Sequence, residues 1–318
     1  MTGLRVAVLT PPRDLSLRAD VEDTFVQADE IAVALRELGH IALPATYRGG
    51  DGAELAALNP DIVVNLVEDV PQGPDQVHLV TALLDQLGLR YTGAPTAALA
   101  ALGDKTGMKT ILRGAGLPVA ADLADAGTEA RFIVKSATEH ASIGIDAQSV
   151  VTGTGAALAL IEKQHARHGG RWFAEAYIEG REFNVGVLET PDGPIMLPVA
   201  EILFTDHADG RPRIVGYAEK WAPESATYAA TPRAFPADPK DAALFDELQH
   251  LARAAWALFG LGGYARVDFR VDQSGRTYIL EVNANPCLAA DAGFCAAAAE
   301  IGLSQKDVIA QLVAAALA

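Results

Sequence analysis

The sequence predicts a protein of mixed α/β and α+β class, with a parallel-sheet α/β domain at the N-terminus and two mixed units after it. Three observations predict this. The first hundred residues alternate short buried-strand runs with amphipathic helices. From about residue 102 the strands become more polar and the helices shorter. The last third contains a strand–turn–strand segment whose charged and amide residues fall on one face.

In chain order, residues 4–9 (LRVAVL) form an apolar run suited to a strand covered on both faces. Residues 23–38 carry apolar side chains at helical spacing and stop at Gly39. Residues 41–43 and 61–66 supply a second and a third strand, and a helix over 77–87 ends at Gly88. This βαβαβ order implies parallel strands joined by right-handed crossovers. The turn after the first strand, Thr10-Pro11-Pro12-Arg13, lacks the glycines that let backbone approach a pyrophosphate, which argues against a dinucleotide-dependent oxidoreductase. A helix over 104–116, a strand over 132–135, a helix over 155–168 and a strand over 172–178 make a small α+β unit. Strands over 182–189, 196–204, 264–271 and 277–283, a helix over 241–259 and two terminal helices make the remainder. These readings divide the chain at 1–101, 102–171 and 172–318. The irregular, proline-containing stretch 206–239 and the polar loop 136–144 are expected to be mobile segments that close over a ligand.

Composition narrows the function. Of 318 residues half are hydrophobic and 21% charged, which argues against disorder. No run of about 18 uncharged apolar residues suits a membrane span, and the first residues lack the pattern of a secretory leader. A formal net charge of −16 argues against nucleic-acid partners, which need a basic footprint. Cys287 and Cys295 are too few for a disulfide framework, so a cytoplasmic location is expected.

The chemistry concentrates between residues 266 and 283. A four-residue loop over 272–275 pairs Val271 with Arg276 and sets Arg266 opposite Glu281, with Asp268 diagonal to Glu281 and Asn283 on the same face. Two carboxylates, an amide oxygen and a guanidinium then converge without any residue out of register. Such oxygen donors suit magnesium, which keeps waters and completes its shell with substrate phosphates. The same face is also compatible with a solvated ion pair. Lys105 opens a helix behind Asp104, Lys135 ends a strand, and Lys220 sits in the long irregular stretch; each alone also reads as a surface lysine.

Taken together, these residues resemble the D-alanine–D-alanine ligase family of ATP-grasp carboxylate–amine ligases. The matching segments are 89–120, FIVKSATEHASIGI at 132–145, FAEAYIEGREFNVGVL at 173–188, LPVAEI at 197–202, YAEKW at 217–221 and GYARVDFRVDQSGRTYILEVNANP at 263–286. The resemblance implies an ATP-grasp fold and an ATP-dependent ligase acting on a small-molecule carboxylate and an amine through an acyl phosphate. By the same resemblance Lys105 and Lys135 hold nucleotide phosphates, and Glu175 takes the adenine amino group. Backbone at Ala176 to Ile178 binds the ring edge, Glu182 the ribose, and Lys220 the terminal phosphate. Asp268 and Glu281 bind one magnesium, and Glu281 and Asn283 a second, with manganese an acceptable substitute. Arg266 stabilises the intermediate, and Ser142 and Gly144 belong to the phosphate loop. A homodimer is implied as well.

The departures concern substrate. The family's acceptor-side serine and leucine fall at Ala292 and Gly293, and its His-Gly pair is replaced around Glu68 and Asp69. Its early glutamate has a match only at Glu22 or Asp23. Glu22, Glu68, Asp291 and Gly293 are therefore the candidate substrate contacts. Asp291 beside two bare amides predicts a pocket that repels anions and prefers a neutral, cationic or intramolecular amine. A cyclising ligase and an ATP-binding protein without ligase activity are the alternatives; Arg266 argues against the second, since a pure binder has no use for an intermediate-stabilising guanidinium.

Overall fold

The computed structural model describes residues 3–13, 19–50, 52–139, 141–205, 211–222 and 224–318. His140 and residues 206–210, which fall in the two expected lid segments, lie outside the described residues. The chain runs β1 (Arg5–Thr10), α1 (Ala19–Glu37), β2 (Ile41–Thr46), α2 (Ala53–Ala57), β3 (Ile62–Asn65), α3 (His78–Gln86), α4 (Thr96–Leu102) and α5 (Lys105–Gly114). It continues with β4 (Arg131–Ser136), β5 (Val150–Thr152), α6 (Thr154–His168), β6 (Trp172–Ala176), β7 (Gly180–Thr190), β8 (Gly193–Met196) and β9 (Ala200–Ile202). Then come α7 (Tyr217–Trp221), α8 (Ala226–Ala229), β10 (Arg233–Ala234), α9 (Ala242–Phe259), β11 (Tyr264–Asp272), β12 (Thr277–Asn283), α10 (Gly293–Ala299) and α11 (Gln305–Leu317).

The first three strands form a parallel sheet in the order β2-β1-β3. The alternation in β1 decides its packing. Val6 and Val8 face a core with α1, α11, Tyr264 and Phe294, whereas Ala7 and Leu9 face Leu55, Val80 and Leu84 on the other side. The first of these cores includes Leu188 and Leu197, so the N-terminal sheet is seated on the large C-terminal sheet through continuous apolar packing.

The large sheet has the order β10-β9-β7-β11-β12, with β8 attached to β7. Phe183, Val185 and Val187 of β7 and Val267, Phe269 and Val271 of β11 turn to a core covered by α4, α5 and α9. A buried side chain of this size contributes about 1.5–3 kcal/mol. The opposite face carries the polar residues. Where one strand is expected over 196–204 there are two, β8 and β9, because Pro198 lies between them and a proline cannot donate to a ladder.

The small sheet has the order β5-β4-β6 and a core of Phe132, Val134, Ala157 and Ala174. Trp172–Ala176, read from the sequence as the last strand of the small α+β unit, completes this sheet. Helix α5, expected in the small unit, gives Met108 and Leu112 to the core of the large sheet. Position 122 meets 175 in an isolated bridge, and 119 meets 279 in another, so the chain joining the units is tied to both. Nor is the stretch 206–239 irregular throughout: it holds α7, α8 and β10, elements of two to five residues that are too short for periodicity to register.

Candidate active site

The hairpin departs from its expected register in two places. Asp272 pairs with Arg276, leaving a three-residue loop, because the Asp272 carboxylate accepts from the amides of Ser274 (2.8 Å) and Arg276 (3.1 Å) and tightens the turn. A bulge then places an extra residue, Leu280, on β12 between the pairs Phe269–Ile279 and Asp268–Glu281. Asp268 thus stands directly opposite Glu281, and Arg266 opposite Asn283. The bulge keeps Glu281 on the face of Asp268; without it, Leu280 would occupy that face.

Arg266 grips Asp268 with both ends of its fork, Nε to Oδ1 at 2.7 Å and Nη2 to Oδ2 at 3.0 Å, and Asn184 from β7 donates to the same Oδ1 at 2.7 Å. Burial opposes the charge on Arg266, but Asp268 and Glu281 outweigh it and hold the guanidinium firmly protonated. Lys105, only 5% exposed, pairs with Glu281 at 3.2 Å and donates to the Glu139 carbonyl. Its place follows from α5, which Asp104 caps by accepting from the Thr106 amide at 2.9 Å. Asn283 Oδ1 accepts from the Asn285 amide at 3.0 Å. Lys220 is held below the ordinary lysine value by desolvation and by Arg266, against the opposing pull of Glu281, Asp268 and Glu182.

A cavity of about 580 Å³ is lined by Lys220, Arg266, Asp268, Asn283 and Glu182 together with Glu68, Asp291 and Gly293; Lys105, Lys135, Glu175 and Glu281 are not part of its lining. Eight of the expected site residues therefore meet in one space. Glu182 is fixed there by Arg270 at 2.8 Å, a cation that also donates to the Gly180 carbonyl at 3.1 Å.

Other expectations are redistributed. Glu22 points away: its side chain is 70% exposed and meets Arg13 at 3.5 Å. One residue further along α1 the helix has turned about 100°, and Asp23 lines the cavity and accepts from the Cys287 thiol at 3.0 Å. Burial raises the Asp23 carboxyl above its ordinary value despite that bond, and pushes the Cys287 thiol far up, so Cys287 is not a thiolate nucleophile. Ser142 does not line the cavity. It sits in left-handed backbone at φ 60° and donates to the Val215 carbonyl at 3.1 Å, pinning its loop to the segment before Lys220. Trp221 Nε1 to the Ala141 carbonyl (3.1 Å) and Tyr217 N to the Ile145 carbonyl (3.2 Å) complete that seam. Gly216 permits it, since a Cβ there would stand 2.4 Å from the Ile145 carbonyl oxygen.

Glu175 is 2% exposed, and its two carboxylate oxygens hold Lys109 and Lys135. It is therefore the counter-ion that orients Lys135, and its carboxylate is largely committed before any adenine arrives. Ala176 and Ile178 follow at the end of β6, where the Ala176 amide donates to Ala121 and the Tyr177 amide to Arg131. The sequence does not single out Lys109, although a lysine four residues after Lys105 and flanked by Met108 and Leu112 lies on the buried face of α5. Nor does it single out Asn184 or Arg233, whereas Asp23 is the second of the two matches offered for the early glutamate. Arg233 reaches Asp291 and Gly293 from β10, so the expected anion-repelling mouth contains a cation as well.

Among the described residues no three His, Cys, Asp or Glu side chains cluster as a metal cage, and no helix is long and apolar enough to cross a membrane.

Comparisons with known proteins agree with this geometry. The family profile described as D-ala D-ala ligase C-terminus matches residues 128–314. A D-alanine–D-alanine ligase of Desulforudis audaxviator is 32% identical over 98% of this chain and 96% of its own length. That of Moorella thermoacetica is 30% identical over 99% of each. The crystal structure of the Bacillus anthracis D-alanine–D-alanine ligase complexed with ATP superposes with a TM-score of 0.74, covering 99% of this chain and 98% of that one at 18% identity. With the fold of these ligases, the bulged hairpin and the shared cavity in place, the chain belongs to the D-alanine–D-alanine ligase family and has the ATP-grasp fold.

Proposed function

We propose that the protein is an ADP-forming carboxylate–amine ligase that uses ATP. The observation that carries this reading is the convergence of Lys220, Arg266, Asp268 and Asn283 in one cavity with the substrate-side residues Glu68, Asp291 and Gly293. ATP lies between the small and large sheets, with its phosphates toward Lys105, Lys135 and Lys220 and its ribose at Glu182. A carboxylate oxygen of the first substrate attacks the γ-phosphorus, ADP leaves, and an acyl phosphate forms. The amine then attacks the acyl carbon, inorganic phosphate departs with the bonding pair, and a proton is lost from nitrogen. Most of this chemistry is positioning and neutralisation of charge. Arg266, already fixed by Asp268, is set to receive the negative oxygen of the tetrahedral intermediate.

The donor set fits magnesium. Asp268, Glu281 and Asn283 offer only oxygen atoms, and two carboxylates with an amide match an ion that substrate phosphates help to hold. Bound there, magnesium would supply neutralisation of the transferring phosphoryl group. Arg266 and Lys105 balance the two carboxylates in the structure described here. The free thiols Cys287 and Cys295 are compatible with a cytoplasmic protein.

Release of ADP from MgATP, measured across pairs of amino acids and amines with product mass spectrometry, tests the reading. Amide product stoichiometric with ADP supports it; ATP binding without ADP release from any pair would favour a binding protein instead. The seam between residues 141–145 and 215–221 carries a second expectation. Hydrogen-exchange protection at both segments should rise together when a non-hydrolysable ATP analogue is added. Unchanged protection at either segment would remove it from the lid.

A further inference from the structure

Behind the cavity, buried charges form a row from α5 to the small sheet. Lys135 and Glu175 are diagonal neighbours on one face of the pair β4–β6, because Ile133 stands opposite Glu175 and Lys135 opposite Phe173. Glu175 gives one carboxylate oxygen to Lys135 and the other to Lys109, which arrives from α5. Lys109 is 2% exposed and does not line the cavity. Its ammonium lies 5.7 Å from the Phe173 ring centroid and donates to Asp122 at 3.0 Å, and Asp122 also takes Arg113 at 2.8 Å.

One lysine compensates one buried carboxylate, and Glu175 has two. The second becomes necessary when the first leaves. Among the described residues Glu175 is the only ion-pair partner of Lys135, whose side chain is 13% exposed against 3% for Lys109. A phosphate that draws the Lys135 ammonium away would strand the carboxylate in a dry site, and a buried charge left without its partner is strongly destabilising. Lys109 removes that penalty, because it stays on the second oxygen and is itself tied to Asp122.

We propose that Lys109 is a positioning residue for the nucleotide: it compensates Glu175 from behind, so that Lys135 can exchange that carboxylate for a phosphate. This rests on the ligase reading above, in which Lys135 meets a phosphate of ATP. Without Lys109 the carboxylate has Lys135 alone, and that pair competes with the phosphate for the same ammonium.

The test measures binding of a non-hydrolysable ATP analogue by calorimetry in wild type, Lys109→Met, Glu175→Gln and the double variant, at a temperature where a thermal melt shows each folded. Lys109→Met should weaken binding about tenfold or more, whereas the same change on the Glu175→Gln background should alter it by less than about threefold. The contacts of Lys109 with Asp122 and Phe173 are lost on both backgrounds, so only the effect that runs through Glu175 disappears. In turnover, Lys109→Met should raise the KM for ATP and leave kcat within about threefold of wild type. Should Lys109→Met not fold, Lys109→Gln, which keeps a polar end for Asp122, takes its place in each arm. Unchanged affinity in the single variant overturns the proposal. So does an equal loss on both backgrounds, which would make Lys109 a structural residue only. In either case a wild type that ligates keeps the ligase reading. If wild type binds the analogue but no substrate pair yields ADP, the ligase reading fails, and the contrast between backgrounds alone upholds or overturns the role of Lys109. A wild type that binds no nucleotide overturns both.

Discussion

Exchanging Glu281 for glutamine should lower ADP formation on the order of 10³-fold and leave the fold intact. The carboxylate stands opposite Asp268 across the bulged hairpin and 3.2 Å from Lys105. Glutamine keeps an oxygen for the lysine ammonium but gives up the charge. Neutralising a transferring phosphoryl group is worth several kcal/mol, and each 1.36 kcal/mol is tenfold in rate, so a loss of this size follows from charge alone. A coupled ADP assay at saturating ATP and magnesium, with a thermal melt as control, decides it. Turnover within about threefold of wild type would take Glu281 out of the centre.

Much of the architecture was legible because periodicity reports which faces are covered. Strand β1 and helix α9 were readable within a few residues for that reason. The hairpin shows where this stops. A tightened turn at Asp272 and a bulge at Leu280 each shift the pairing by one residue, and neither is written in an alternating pattern. The two shifts add to an even number, so the expected polar face survived while the partners changed. Glu22 against Asp23 is the opposite case: a single step on a helix separates solvent from the cavity. Arg233 and Gly293 are sixty residues apart and come side by side only in the folded chain. Contacts of that kind depend on tertiary packing and leave no local signal. The lysine–glutamate centre was half visible: Lys135 and Glu175 carry motif resemblance, but burial of Lys109 against Glu175 depends on how α5 meets β6.

That centre carries the largest expected stability effect. Glu175→Gln should destabilise the protein by about 3–5 kcal/mol, the loss typical when one partner leaves a buried ion pair. Burial alone would raise the Glu175 carboxyl above its ordinary value of 4.5, but Lys135 and Lys109 outweigh it and hold the carboxyl below that value. The sign follows from the lowered value: the contribution is fully present above about pH 4.5 and is lost as pH falls through the lower folded-state value. Melting temperature measured from pH 7 down to pH 3 should therefore fall in wild type below that point, whereas Glu175→Gln should begin lower and lose less in that window. Lys109 keeps Asp122 at 3.0 Å after the change, so Lys135 is the cation left without its carboxylate. Adding Lys135→Met to Glu175→Gln should then restore part of the lost stability, a coupling that independent sites would not show. Equal melting temperatures and equal pH slopes in wild type and Glu175→Gln would mean that the two lysines draw their compensation from elsewhere.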